Sequence, residues 1–369
     1  MTKFLSLFLI IGILMFSGCN NGNGINDGVG NDNAADVTPV VEPTDNPTVQ
    51  ELQRFQHLSI GIMDTVIQII GYAASQELFD ERLEIMMSEF RRMNALFEFF
   101  NPVEGLENLY TINSQAGIAP VAVDQLIIQM LQYGISAYHY TNGAFNIALG
   151  PVLQIWHEQR MSENPAVPSA EELMQASMLT NIENVIIDER ASTVFLAEEG
   201  MRLDVGGIAK GFAVEHIAQL GRSLGFSSLL VSAGGDSRML NGPPGIGTWG
   251  NGLQNPNSPG DMTDLIDVVR VENMAVLTSG NYQRFFEVDG VRYHHLIDPT
   301  TLMPASVHTA VTVLHENTVM AEILTTALFI KDIAEGEALL ERLGGHALWV
   351  LADGTIHVSE GYSHFSDNF

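Results

Sequence analysis

The chain has 369 residues, 46% hydrophobic and 16% charged, which suits a large globular body with its own core. Its formal net charge of −28, with 16 Lys+Arg against 44 Asp+Glu, excludes a nucleic-acid binder that works by neutralising phosphates. A phosphate-bearing ligand therefore has to be held by backbone N–H groups, helix N-termini or a metal ion. The single cysteine excludes an intrachain disulfide and a cysteine-based zinc site.

Residues 1–18 read as a lipoprotein signal peptide: Lys3, an apolar run over 4–16 too short for a membrane span, then Ser17 and Gly18 before Cys19. This pattern predicts cleavage before Cys19 and lipid attachment to it, on the extracytoplasmic face of a bacterial membrane. Residues 19–50 are rich in Asn, Gly, Asp and Pro and read as a tether. The folded body is expected over 51–369.

Within that body, 58–72 alternates and is rich in Ile and Val, predicting one strand. Residues 75–100 carry Leu78, Leu83, Met86, Phe90, Met93 and Phe97 at the spacing of an amphipathic helix, stopped by Asn101-Pro102. Helices follow over 124–140, 150–156 and 169–178, the last opening on a capping box, Ser169 with Glu172. Short strands are predicted over 185–188 and 193–197. A helix runs from 211 to about 224, and a strand over 228–233 ends in Gly234-Gly235-Asp236. A strand ending in Thr278-Ser279-Gly280 precedes a hairpin turning at Asp289-Gly290, whose return strand carries His294 and His295. A strand over 310–314, helices over 317–331 and 335–343, and a hairpin at Asp353-Gly354 complete the chain. Hairpins with interspersed helices predict an α+β fold with mainly antiparallel sheets.

Three turns place bare backbone at strand ends: Asp204 to Gly211, Val231 to Asp236, and Thr278 to Gly280. The first matches neither a Walker loop nor a dinucleotide fingerprint, and each alone is also explained as a tight turn. Glu322 and Thr326 share one helix face at i, i+4 and suit a hard cation. That helix is apolar almost all round, so Glu322 is expected to be buried and in need of a partner. A histidine at this strand end, His294 or His295, beside a Ser-Gly turn and Asp298, suits a general base that such neighbours orient, against the alternative of a hairpin with solvated histidines. Phe100 and Phe145 stand at loop starts, where aromatics stack on planar rings or simply fill the core.

In combination these pieces resemble the ApbE family of FAD:protein FMN transferases. They are Met63-Asp64-Thr65, Gly143-Ala144-Phe145-Asn146 with Gly150-Pro151, Asp204-Val205-Gly206-Gly207-Ile208-Ala209-Lys210-Gly211, Ala233-Gly234-Gly235-Asp236, Thr278-Ser279-Gly280-Asn281-Tyr282 with Arg284, His294-His295-Leu296-Ile297-Asp298-Pro299, and Ala321-Glu322 with Thr326. The resemblance implies an ApbE-like, T-fold-related body with two subdomains around a flavin cleft. It implies FAD as substrate, lined by Met63, Phe100, Ala144, Phe145, Asn146, Asp204, Lys210, Ser279, Gly280, His295 and Ile297. It implies Mg²⁺, with Mn²⁺ as the alternative, held by Gly207, Glu322 and Thr326. The implied reaction is attack by a Thr hydroxyl of an extracytoplasmic acceptor protein on the FMN phosphorus, with AMP leaving and His295 as base.

The chain departs from the family pattern at four places. Glu322 stands where Asp is usual, Asn146 and Asn281 replace frequent Asp residues, and 300–304 lacks the usual Arg/Lys-Thr-Gly. Two other readings stay open: a metal-dependent FAD pyrophosphatase that gives FMN and AMP, and a flavin-binding lipoprotein without catalysis.

Overall fold

The computed structural model describes residues 51–259, 261 and 263–369. The signal peptide expected at 1–18, Cys19 and the tether expected at 19–50 lie outside the described residues. Among those described, no helix is long and apolar enough to cross a membrane.

The body opens on a hairpin, β1 (Gln53–Ile62) and β2 (Thr65–Ala73), around a turn at Met63 and Asp64 with φ of 54° and 52°. The single strand expected over 58–72 is thus two. Ile and Val continue on both sides of the turn, and neither turn residue is a glycine, so the apolar pattern hides the reversal. Then come α1 (Gln76–Leu96), α2 (Leu109–Ser114), β3 (Val121–Ala122), α3 (Gln125–Tyr140), α4 (Gly150–Met161), α5 (Ala170–Ser177), β4 (Val185–Asp188) and β5 (Thr193–Leu196). The second half holds α6 (Ala209–Ser223), β6 (Leu229–Ala233), β7 (Asp236–Leu240), β8 (Trp249–Gln254), β9 (Leu265–Val271), β10 (Ala275–Gly280), β11 (Phe285–Val288) and β12 (Val291–His294). It ends with β13 (His308–His315), α7 (Thr318–Ile330), α8 (Ile333–Leu343), β14 (His346–Leu351) and β15 (Ile356–Val358).

Side-chain caps close helix starts, with Ser169 as the capping box predicts. Ser75 accepts the Leu78 amide at α1, Ser169 accepts the Glu172 amide at α5, and Asn317 accepts the Met320 amide at α7. The Asp289-Gly290 turn has both residues at positive φ, as a two-residue hairpin requires.

The centre is an eight-stranded antiparallel sheet in the order β1-β2-β6-β7-β10-β13-β14-β15. One face packs on helices: Ile67, Ile69, Val231 and Ala233 against α1 and α6, and Leu277, Val311 and Val313 against α7. The other face carries Ile70, Leu230, Met239, Val276, Leu314 and Leu348 beneath the β8–β9 hairpin, with Trp249, Val269 and Tyr362. With both faces covered, β6 and β7 are buried along their whole length. The sheet thereby fixes α6 and α7 side by side.

Candidate active site

The site grows from the contact between α6 and α7. A Cβ at Gly211 would lie 2.8 Å from both Glu322 Oε2 and the Thr318 carbonyl oxygen, so only glycine lets the two helices approach this closely. The Gly211 amide donates to Glu322 Oε2 at 2.7 Å, and Lys210 Nζ donates to Glu322 Oε1 at 2.8 Å. Glu322 is 4% exposed on a helix that is otherwise almost entirely apolar, and both of its oxygens have a donor. Below it, Glu215 of α6 accepts from the Thr318 amide and hydroxyl, each at 2.8 Å, and from Arg238 Nε at 3.1 Å. Glu215 thus satisfies an otherwise unpaired amide at the buried start of α7 and pins it to α6.

Lys210 has a second carboxylate, Asp236 Oδ2 at 2.5 Å. Burial lowers the affinity of the Lys210 ammonium for its proton, but Asp236 and Glu322 outweigh it and hold the pKa above the ordinary value. Burial pushes Glu322 upward and Asp236 adds to this, opposed by Lys210 and the Gly211 amide. Asp236 closes the Gly234-Gly235 turn, where both glycines have positive φ. A Cβ at Gly234 would lie 2.4 Å from Thr65 Oγ1, so the turn at Met63-Asp64 and the turn at Gly234-Gly235 abut. Met63 itself is tied to α1, its amide donating to Asn94 Oδ1 at 2.6 Å.

On the other side of Glu322, a Cβ at Gly207 would lie 3.5 Å from Thr326 Oγ1 and 2.9 Å from the Phe145 ring. Gly207, Thr326 and Phe145 therefore meet, one helical turn from Glu322. Among the described residues no group of three or more His, Cys, Asp or Glu is arranged to hold a metal ion. A Gly207 carbonyl, a Thr326 hydroxyl and one carboxylate escape such a criterion, and as all-oxygen donors they fit a small hard cation. One oxygen of that carboxylate now faces the Lys210 ammonium.

The remaining candidates fall into two groups. Asp204 accepts the Gly206 amide at 2.8 Å, and its pKa is raised by burial against the pull of that amide, Arg202, His157 and Arg160. Phe100 stacks on His157 at 4.8 Å and lies beneath the Arg202 guanidinium at 5.8 Å. Asn146 is committed to the fold: its amide donates to the Thr180 carbonyl and its oxygen accepts the Ala148 amide. Ala144, Gly280 and Ile297 are buried and Ser279 is half-buried. Gly280 leaves room for the Tyr282 ring, which a Cβ would meet at 2.3 Å.

The paired histidines are not solvated. His294 is buried, with Nε2 2.7 Å from the Ala305 carbonyl oxygen and Nδ1 accepting the Leu296 amide. His295 has a buried Nδ1 with no hydrogen-bond partner. Burial, then Arg284, Arg160 and His294, bring its pKa down from 6.5 to about 3, so the imidazole is neutral. Asp298 does not orient it: its two oxygens accept the Thr300 amide and the Thr301 hydroxyl within its own turn. Chain reading missed Asp236, Arg160 and Glu215. Asp236 had a signal, since its Gly-Gly-Asp turn stood out, but that turn was read for its backbone alone.

A model of the ApbE family matches residues 63–349. The chain belongs to the ApbE family. It is 35% identical over 309 residues to the FAD:protein FMN transferase of Treponema pallidum, covering 79% of this chain and 80% of that one. Among solved structures, the ApbE protein of Thermotoga maritima superposes with a TM-score of 0.76 at 32% identity, covering 85% of this chain and 99% of that one. A histidine-to-glycine variant of the flavin transferase ApbE from Vibrio cholerae superposes at 0.70 with 25% identity, covering 85% and 99%. The ApbE match spans every motif assembled around Glu322, from the Met63 turn through Thr326.

Proposed function

We propose that this chain transfers the FMN moiety of FAD to a threonine hydroxyl of an acceptor protein. The observation that carries the reading is the junction of Lys210, Gly211, Asp236 and Glu322, flanked by Gly207 and Thr326. In a protein of this charge, it is where an ammonium, a glycine turn, a helix start and hard oxygen donors coincide. Gly207, Glu322 and Thr326 would hold Mg²⁺, which when bound supplies positive charge for the phosphoryl oxygens.

The residues then divide the work. Lys210 and the glycine turn at 206–207 receive the diphosphate, and the neighbouring Phe145 closes the turn from the side. The threonine oxygen attacks the phosphorus of the FMN half, the bond to the AMP oxygen breaks, and AMP departs. His295 takes the hydroxyl proton. Its imidazole is neutral, its basicity lowered first by burial and then by Arg284 and Arg160, and an anionic substrate would offset the part due to the two arginines. The short apolar run before Cys19 supports lipid anchoring on the extracytoplasmic side of a bacterial membrane, near extracytoplasmic acceptors.

The test is mass spectrometry of an acceptor peptide incubated with the 20–369 protein, FAD and Mg²⁺. One FMN on the threonine, lost with EDTA, is the expected result. AMP and free FMN without labelled peptide would make the protein a pyrophosphatase. Intact FAD would make it a binding protein.

A further inference from the structure

Lys210 carries more contacts than a phosphate-binding lysine needs. Its ammonium bridges Asp236 Oδ2 at 2.5 Å and Glu322 Oε1 at 2.8 Å, with the three side chains 25%, 11% and 5% exposed. Two buried carboxylates facing one another need a cation between them. Lys210 supplies that cation. The same Glu322 oxygen lies on the carboxylate that the proposed metal set uses, so lysine and metal compete for it. The second carboxylate, Asp236, has no place in that metal set. It sits at the end of the Gly234-Gly235 turn and gives the ammonium a partner that does not depend on Glu322.

We propose that Lys210 is the counter-ion of Asp236 and Glu322 in the metal-free protein, and that Asp236 anchors it through an exchange in which a divalent cation takes Glu322 and the freed ammonium valence passes to the substrate diphosphate. The charges follow. Asp236, Glu322 and Lys210 together carry one net negative charge. Adding a divalent cation alone makes the cluster positive and strips Lys210 of one partner. A diphosphate restores both the balance and the lost partner. Metal and diphosphate therefore bind cooperatively, with part of the coupling carried by Lys210 and not by direct metal–phosphate contact. The inference rests on the metal reading given above and assigns Asp236 a positioning role.

The experiment is Mn²⁺ binding followed by electron paramagnetic resonance of free Mn²⁺, with and without ADP as an unreactive diphosphate. It uses the wild-type protein, Lys210→Met, Lys210→Gln and Lys210→Arg. Without ADP, Lys210→Met and Lys210→Gln should bind Mn²⁺ about 5–10-fold more tightly than wild type, within the usual range of coupling, and Lys210→Arg should match wild type. The ADP-induced tightening should shrink in the two neutral variants. Where a neutral variant folds poorly, its melting temperature should rise with Mn²⁺ more steeply than wild type does, because the metal replaces the missing charge. Wild-type Mn²⁺ binding with equal or weaker binding in both neutral variants would overturn the exchange alone. Absence of Mn²⁺ binding from wild type would overturn the metal reading and the exchange with it.

Discussion

The Gly211 amide and Glu322 Oε2 are 2.7 Å apart, and a methyl group at Gly211 would reach to 2.8 Å of that same oxygen. One contact therefore joins two helices and seats the proposed metal carboxylate. Gly211→Ala should separate α6 from α7 at a cost of about 1–3 kcal/mol, the usual range for overpacking. Urea denaturation measures the loss, and the Mg²⁺ dependence of activity should weaken in parallel.

Glu322 reaches both Lys210 and Gly211 because it is a methylene longer than aspartate. Glu322→Asp should leave those two donors short of an acceptor and lower metal-free stability by about 1–3 kcal/mol. On the proposed metal reading aspartate keeps the carboxylate, so Mg²⁺-dependent transfer should persist, and Mg²⁺ should restore much of the lost stability in a thermal melt. Glu322→Ala should lower kcat by about 10²-fold or more, the scale seen when one electrostatic stabiliser is removed.

Glu215 touches no expected substrate group yet accepts two donors from the start of α7 and one from Arg238. Glu215→Ala leaves the Arg238 guanidinium, 5% exposed, without its carboxylate. The expected cost is about 3–5 kcal/mol, as for breaking a buried pair from one side. Chemical denaturation reads this directly. At temperatures where the variant is folded, the Mg²⁺ concentration for half-maximal activity should rise, because α7 carries both Glu322 and Thr326.

His295 is neutral in the folded protein down to pH of about 3, whereas an unfolded histidine protonates near 6.5. As pH falls below 6.5 the unfolded chain binds a proton that the folded chain refuses, so stability declines through that window. His294, His308 and His157 shift the same way, each chiefly through burial. Urea midpoints should therefore drop from pH 7 to pH 5, and His295→Gln should flatten the slope. The pH profile of kcat/KM should lack a break at 6.5 from this group. Arg284→Met should raise the His295 pKa in an imidazole NMR titration.

Much of this was legible in the chain because local chemistry agreed with the fold. The 3.6-residue periodicity predicted α1, Ser169 capped α5, and Asp289-Gly290 turned a hairpin. Glu322 was expected to be buried because its neighbours are apolar, and it is. The misses share a cause: their determinants are distant in sequence. The Met63-Asp64 turn abuts the distant Gly234-Gly235 turn, and no residue of its own is a glycine that demands a reversal. Arg238 interrupts the apolar run of β7, and its carboxylate partner is Glu215 of α6. Asp298 is acidic and close in sequence to His295, yet its own turn uses both its oxygens. The link from Asp236 through Lys210 to Glu322 joins three separate elements, so no window of sequence contains it.

The strand order has a consequence for how the protein is made. β2 does not pair with a near neighbour on its inner side but with β6, Ile67 opposite Ala233. The first hairpin to leave the ribosome therefore waits for the middle of the chain before its inner edge is covered. An open strand edge rich in Ile and Val is an invitation to aggregate during that interval. A chain built this way gains from being kept from pairing until β6 has been synthesised.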